Sequence, residues 1–505
     1  MEAEPAFRSL PDLIAAHARE APGRGALADE RRGIDWGELD AEMDRVAATL
    51  QHRGVRARDT IAICALSSVE YLLVFLGALR AGIAVAPLAP SSTPESLALM
   101  AADCGARVLF LDASTREVCA AVDPSILRVG LDADFESWLA PKGSKPAPVE
   151  IAPDWTFNTI YSSGTTGAPK GIDQPHFMRW MHVQRSAAFG YDSEAVTLVS
   201  TPLYSNTTLV SVFPALAGGG RVELMKKFEA REYLKRAERV RATHAMLVPV
   251  QYQRLLALPD FGAFDLSAFR MKFCTSAPFS AALKRDILDR WPGGLVEYYG
   301  MTEGGGTCIL LAHLHPDKLH MVGAPAEGHD IRLIDEAGRE VAVGEAGEVV
   351  GRSPAMMLGY HNLEAKTLEA EWRDAEGRRF IRTGDVGRFD ADGFLTLFDR
   401  RKDMIISGGF NIYPSDLEAV LTGHPAVAEA AVVGAASKTW GETPVAFVVP
   451  REGAGIEAED LRAWVNARVG KTQRLAAVRL VESLPRSPIG KVLKRELRDA
   501  FGAAD

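Results

Sequence analysis

Apolar residues recur at helical spacing over residues 7–19 and again over 36–50, where Leu39, Met43, Val46 and Leu50 fall on one face. Residues 60–65 form a continuous apolar run of strand length. Ser67-Ser68 then supplies a helix start, and 69–79 the helix. Residues 108–111 read as a further strand. The most apolar stretch, 71–90, contains Arg80 and two glycines. Arg80-Ala81-Gly82 reads as a helix end and 83–86 as a short strand, so the pattern predicts a buried helix and strand, not a membrane span.

After a Pro- and Lys-rich loop at 140–148 the alternation resumes over 156–306, with strands predicted at 198–200, 222–225, 245–248 and 271–275. Strands alternating with helices imply parallel sheets with helices on their faces. From 328 to 398 the pattern becomes β-rich, with short runs at 330–334, 347–352, 380–383 and 393–398 between Gly and Asp turns. The last hundred or so residues return to mixed α and β, with helices at 414–421 and 458–469 and strands at 427–433 and 445–449. The change of pattern predicts a boundary at 399–403.

Composition narrows the class. A chain of 505 residues is too long for one ordinary domain, and 47% hydrophobic with 24% charged residues is the balance of a globular protein with a large core. Its formal charge, 57 − 66 = −9, gives no electrostatic reason to bind nucleic acid. The five cysteines form no CxxC pair and no zinc-finger spacing, which predicts free buried thiols in a reducing compartment. No signal peptide is visible at Met1-Glu2-Ala3-Glu4-Pro5, so a cytoplasmic location is expected.

The strongest local signal is Tyr161-Ser162-Ser163-Gly164-Thr165-Thr166-Gly167-Ala168-Pro169-Lys170-Gly171. Glycines let backbone amides close around an anion, hydroxyls add donors, and a lysine neutralises polyphosphate charge. The spacing is not that of a Walker A loop. Further on, Glu297-Tyr298-Tyr299-Gly300-Met301-Thr302-Glu303-Gly304-Gly305 offers an aromatic for a purine, a hydroxyl for a phosphate and a carboxylate for Mg²⁺. Arg382-Thr383-Gly384-Asp385 supplies a carboxylate suited to a ribose diol, and Asp399-Arg400-Arg401-Lys402-Asp403 follows it. Pro485-Arg486-Ser487-Pro488-Ile489-Gly490-Lys491 presents a lysine near the C-terminus. Alone, such a lysine is ordinarily a solvated surface charge.

In this order the segments resemble the adenylate-forming superfamily, in its acyl- and aryl-CoA synthetase branch, over nearly the whole chain. The resemblance implies an α/β protein: a large N-terminal domain (1–398) of two αβ-type sheets plus a β-barrel subdomain, a hinge (399–403), and a small mobile α+β C-terminal domain (404–505). It implies ATP, Mg²⁺ and CoA as cofactors and co-substrates. By resemblance Ser162, Ser163, Gly164, Thr165, Thr166, Gly167 and Lys170 cradle the β- and γ-phosphates. Ser276, Ala277, Pro278, Glu297, Tyr298, Tyr299, Gly300 and Met301 line the adenosine. Thr302 contacts the α-phosphate and Glu303 holds Mg²⁺. Asp385 binds the ribose with help from Arg400. Lys402 is the hinge residue. Lys491 bridges the substrate carboxylate and the α-phosphate. Ser407, Gly408 and Gly409 line the pantetheine tunnel once the small domain has turned.

For the acid, Tyr204, Ser205, Thr208, Val248, Gln251, Thr275 and Gly305 are the expected wall. Ser205 stands where the family commonly has histidine, which puts that histidine's gating role in doubt here. No Asp occurs between Thr201 and Val210, against an α-amino acid. Tyr298 sits where a malonate-type enzyme would need an arginine, so a monocarboxylate is expected, aryl or fatty. CoA is the expected acceptor. A carrier-protein acceptor and a non-catalytic homologue are the alternatives, and a homodimer is left open.

Overall fold

The structure is a computed structural model that describes residues 6–132, 134–162, 169–400, 403–407, 410–437, 441–470, 473–487 and 491–502. The chain is mixed α/β and forms two compact units. The first comprises 1–320, 325–330 and 351–381, and the second 321–324, 331–350 and 382–505.

The predicted helices form where capping allows. Asp35 accepts from the Glu38 amide while Glu38 reaches back to the Asp35 amide, a capping box that starts Trp36–His52. Ser68 caps Val69–Arg80, in which every residue from Val69 to Leu79 is buried. These two helices touch at Gly77, where an added Cβ would lie 2.5 Å from the Val46 Cβ. The 71–90 stretch is therefore a buried helix followed by strand Ala84–Pro87. Among the described residues no helix is long and apolar enough to cross a membrane. All five cysteines are buried and free.

One sheet of the first unit runs, in spatial order, Gly359–Tyr360, Lys170–Pro175, Thr156–Ser162, Ala84–Pro87, Thr60–Cys64, Ala106–Leu111, Leu127–Gly130. Its first two pairings are antiparallel and the rest parallel. A second sheet contains Gly304–Leu311, Gly294–Met301, Met271–Cys274, His244–Leu247, Val196–Val199, Arg221–Leu224, Gly25–Ala28 and Gly33–Asp35 in that order. One apolar core holds residues of both sheets, such as Ile61, Phe110, Leu198's neighbour Val199 and Phe273, together with Leu39, Phe75, Leu209 and Phe213 from helices. Helices Leu10–Glu20, Trp36–His52, Val69–Arg80, His176–Ser186 and Asn206–Ala217 thus fill the space between the sheets.

In the second unit, Arg382–Glu348 is an ion pair, and Asp385 pairs with Arg400 across an antiparallel ladder ending at Phe389 and Leu395. The C-terminal sheet joins Phe410–Ile412, Ile405–Ser407, Gly441–Pro450, Val427–Ser437 and Ala477–Leu480. Helices Pro414–Thr422 and Ala458–Asn466 bury Leu417, Leu421, Leu461 and Val465 against it.

Candidate active site

The second sheet's central strands are parallel, and their carboxyl ends lie side by side. Ligands in α/β sheets bind outside such ends. Four candidate segments leave them: Tyr204-Ser205 after Val196–Val199, Val248 after His244–Leu247, Thr275-Ser276-Ala277-Pro278 after Met271–Cys274, and Tyr298 to Met301 at the end of Gly294–Met301. Two hydrogen bonds tie these segments together. The Thr275 hydroxyl donates to the Tyr298 carbonyl at 2.8 Å, and the Thr207 and Ser276 hydroxyls lie 2.5 Å apart. Ser276 has φ +79°, a left-handed conformation that costs a non-glycine residue about 1–3 kcal/mol and recurs at functional sites.

Thr302 and Glu303 form a two-residue turn between Met301 and Gly304, which pair across the hairpin. The Gln174 amide donates to the Thr302 carbonyl at 2.6 Å. Gln174 is itself buried with Asn158, and the Arg179 guanidinium donates to both. The Glu303 carboxylate accepts from the Tyr360 hydroxyl at 2.9 Å, and the Met357 amide donates to the Glu303 carbonyl at 2.9 Å. The Lys170 ammonium sits 5.2 Å from the Tyr360 ring centroid. The fold therefore gathers Lys170, Thr302 and Glu303, far apart in sequence, around Tyr360 and Gln174.

Burial and the neighbouring Glu303 push the Tyr360 phenol up, so it is a hydrogen-bond donor at neutral pH. Among the described residues no group of three or more His, Cys, Asp or Glu side chains could hold a metal. Mg²⁺ does not need one: it is typically bound by one or two carboxylates plus substrate phosphates, and Glu303 fits that role. Removing the Tyr360 hydroxyl frees the carboxylate to rotate. Tyr360→Phe is expected to lower kcat/KM for acid-dependent AMP release about 10-fold, since a hydrogen bond to a charged group is lost. A Mg²⁺ titration of that activity checks it, with half-saturation moving upward.

Several expected wall residues are engaged elsewhere. The fully buried Thr208 hydroxyl lies 2.8 Å from the Thr201 hydroxyl and 2.7 Å from the Pro202 carbonyl. Gln251 is buried and accepts from the Val248 amide at 3.2 Å, capping helix Pro249–Leu256. Glu297 is buried in an ion pair with Lys284, and burial lifts its carboxyl to about 7. Tyr204, Tyr299, Met301 and Ala277 are half-buried, Gly300 and Pro278 exposed, Ser205, Val248 and Gly305 buried. Ser163, Gly164, Thr165, Thr166, Gly167, Lys402, Gly408 and Gly409 lie outside the described residues. Ser162 enters only as the residue whose backbone pairs with Lys170.

In the second unit the Asp385 amide donates to the Thr383 hydroxyl at 3.0 Å, which donates to the Val349 carbonyl at 2.9 Å. Ser407 is buried. Lys491 bonds to Ser487: its amide donates to the Ser487 hydroxyl at 3.1 Å and its carbonyl accepts from the Ser487 amide at 2.8 Å. Sequence reasoning missed Tyr360, Gln174, Arg179 and Thr207. The pairing of Lys170–Pro175 with its neighbours brings in Gln174 and Tyr360, while Arg179 comes from helix His176–Ser186 and Thr207 from helix Asn206–Ala217.

The profile of the AMP-binding enzyme family matches residues 14–361, and that of the AMP-binding enzyme C-terminal domain matches 416–491. A feruloyl-CoA synthase of an Amycolatopsis species is 34% identical over 494 residues, 96% of this chain and 97% of that protein. A fatty acid–[acyl-carrier-protein] ligase, ScoC of Streptomyces coeruleorubidus, is 32% identical over 510 residues, 98% and 97% respectively. The crystal structure of ATP-bound MatB from Rhodopseudomonas palustris superimposes with a TM-score of 0.89 at 27% identity, covering 98% of this chain and 99% of that one. The chain belongs to the AMP-binding, adenylate-forming enzyme family. It has that family's large N-terminal and small C-terminal domains.

Proposed function

We propose that this enzyme is an ATP-dependent carboxylic acid–CoA ligase that works in two steps at one site. In the first, a carboxylate oxygen attacks the α-phosphorus of ATP, the bond to the β-phosphate breaks, and pyrophosphate leaves. In the second, the CoA thiol attacks the acyl carbon, the bond to AMP breaks, and the thiol proton is released. The observation that carries the reading is the Thr302-Glu303 turn, held by Gln174 and Tyr360 beside Lys170. A hydroxyl, a carboxylate and an ammonium there suit a magnesium–polyphosphate. Mg²⁺, when bound at Glu303, neutralises phosphate charge.

The remaining roles follow the family pattern. The 162–170 segment cradles the outer phosphates, Tyr299 stacks on adenine, and Asp385 with Arg400 takes the ribose. Lys491 bridges the two anions that meet in the first step, where a cation lowers the barrier. Lys402 is the hinge, and Ser407, Gly408 and Gly409 admit the pantetheine arm. The boundary at 399–403 is supported by the two family profiles, which match the chain on either side of it.

CoA as acceptor is supported by the feruloyl-CoA synthase relative. The carrier-protein relative favours a second reading, transfer to an acyl-carrier phosphopantetheine thiol. Incubating the enzyme with ATP, Mg²⁺ and an acid panel, with either CoA or a phosphopantetheinylated carrier protein, separates them. Acyl-CoA formation is expected; acid-dependent AMP release without any CoA thioester would sink the first reading.

A further inference from the structure

The expectation of a monocarboxylate rested on Tyr298 standing where a cation would be needed. In the folded chain a cation is there, from another element. Helix His176–Ser186 carries Arg185, whose guanidinium carbon lies 5.3 Å from the Tyr298 ring centroid. Its Nε is buried and has no hydrogen-bond partner. Among the described residues no carboxylate pairs with it.

Its titratable neighbours do not compensate it. His182, one turn back, is buried with Nδ1 unpartnered. His329 accepts from the Thr307 amide at 3.0 Å through its own Nδ1. Burial pushes both imidazoles down, His329 to about 4, with the Arg185 charge adding to the effect in each. Both are neutral near pH 7, and Arg179, also buried, is bonded among the described residues to the neutral Asn158 and Gln174. The positive charge on Arg185 is thus unopposed.

Arg185 and Tyr298 both retain accessible surface, although desolvation is the leading influence on the titration of each. The Thr275 hydroxyl donates to the Tyr298 carbonyl, which places Tyr298, and Arg185 over its ring, beside the strand ends where the acid is expected. A buried cation with only an aromatic face for a partner is electrostatically incomplete, because cation–π attraction offsets only part of its desolvation. An anion, held by the fork of the guanidinium, completes it.

We propose that Arg185 binds a second carboxylate on the substrate, so that the enzyme activates one end of a dicarboxylic acid while helix His176–Ser186 holds the other. This rests on the ligase reading above. Arg185 makes and breaks no bond; it sets which acid is accepted.

The test compares matched acids in acid-dependent AMP release by the full-length enzyme with ATP and Mg²⁺: hexanoate against adipate, octanoate against suberate, and cinnamate against 4-carboxycinnamate and 4-coumarate. The unsubstituted enzyme is expected to favour the dicarboxylate of at least one pair. In Arg185→Met the ratio of dicarboxylate to monocarboxylate kcat/KM is expected to fall about 100-fold, and Arg185→Lys to restore part of it. A cooperative thermal melt verifies that each variant is folded, and the acid panel on the unsubstituted enzyme stands without any variant. Preference for the monocarboxylates or 4-coumarate throughout, or an unchanged ratio in folded Arg185→Met, overturns the proposal while leaving the ligase reading intact. Failure of every acid to release AMP overturns the ligase reading and this proposal with it.

Discussion

Lys491→Ala is expected to lower acid-dependent pyrophosphate–ATP exchange by about 10³-fold, the scale seen when a preorganised charge is removed from a transition state. The first step brings a carboxylate up to a phosphate, and without a cation the two anions repel. Ser487 and Lys491 are joined by backbone and Ser487 hydroxyl hydrogen bonds, and Arg486 bridges to Val492. The following helix Lys494–Gly502 is tied down by Lys494–Glu418 at 2.8 Å and by the Arg498–Asp403 ion pair. A thermal melt beside the parent verifies that the variant is folded. Supplied with a preformed acyl-adenylate and CoA, it should still make thioester, because that step needs no bridge between carboxylate and phosphate. Exchange and thioester formation measured side by side decide the matter; equal loss of both steps would count against the role given to Lys491.

Gly304→Ala is expected to destabilise the protein by roughly 3 kcal/mol or more, and to impair the first step in whatever fraction still folds. Gly304 has φ +77°, and a Cβ there would lie 2.0 Å from the Ala355 carbonyl oxygen and 3.0 Å from the Met356 Cα. Backbone cannot retreat as a flexible side chain would. The chain must move, and what moves is the turn carrying Thr302 and Glu303. Gly393 supplies the control: its φ is +80°, but nothing lies within 4 Å of an added Cβ. Gly393→Ala should cost only the conformational term, about 1 kcal/mol. Denaturant melts of the two variants, with exchange activity measured below the transition, separate steric displacement of the site from simple backbone strain.

Local pattern was a sound guide wherever one face of an element decides its burial. Residues 36–50 and 69–79 became Trp36–His52 and Val69–Arg80 because apolar spacing and the Asp35 and Ser68 caps agree. Strand ends moved by a residue or two in the parallel sheets, whereas 380–383 grew to Arg379–Phe389, 427–433 to Val427–Ser437 and 445–449 to Gly441–Pro450, as ladder pairing decides strand ends, not propensity. The partner of the Glu297 carboxylate was not legible, because a strand alternates its faces and pairing decides what each face meets. Tyr298 and Glu297 point to opposite sides, and Glu297 turns inward to Lys284 on a helix that no sequence rule pairs with it. Thr208 and Gln251 have the polarity of wall residues and also make local hydrogen bonds that no spacing in the sequence announces.

The sequence by itself determined the family and the order of its motifs. Those features depend on residue type at short spacing, such as the glycines and hydroxyls around Lys170 or the Thr302-Glu303 pair. Only the tertiary structure decided which side chains support that chemistry. Tyr360 reaches Glu303 because strand Gly359–Tyr360 adds to the edge of a sheet beside Lys170–Pro175. Arg185 reaches Tyr298 because helix His176–Ser186 packs between the two sheets. Contacts between residues more than fifty or a hundred positions apart arise from sheet order and helix packing, which no local pattern of the chain encodes.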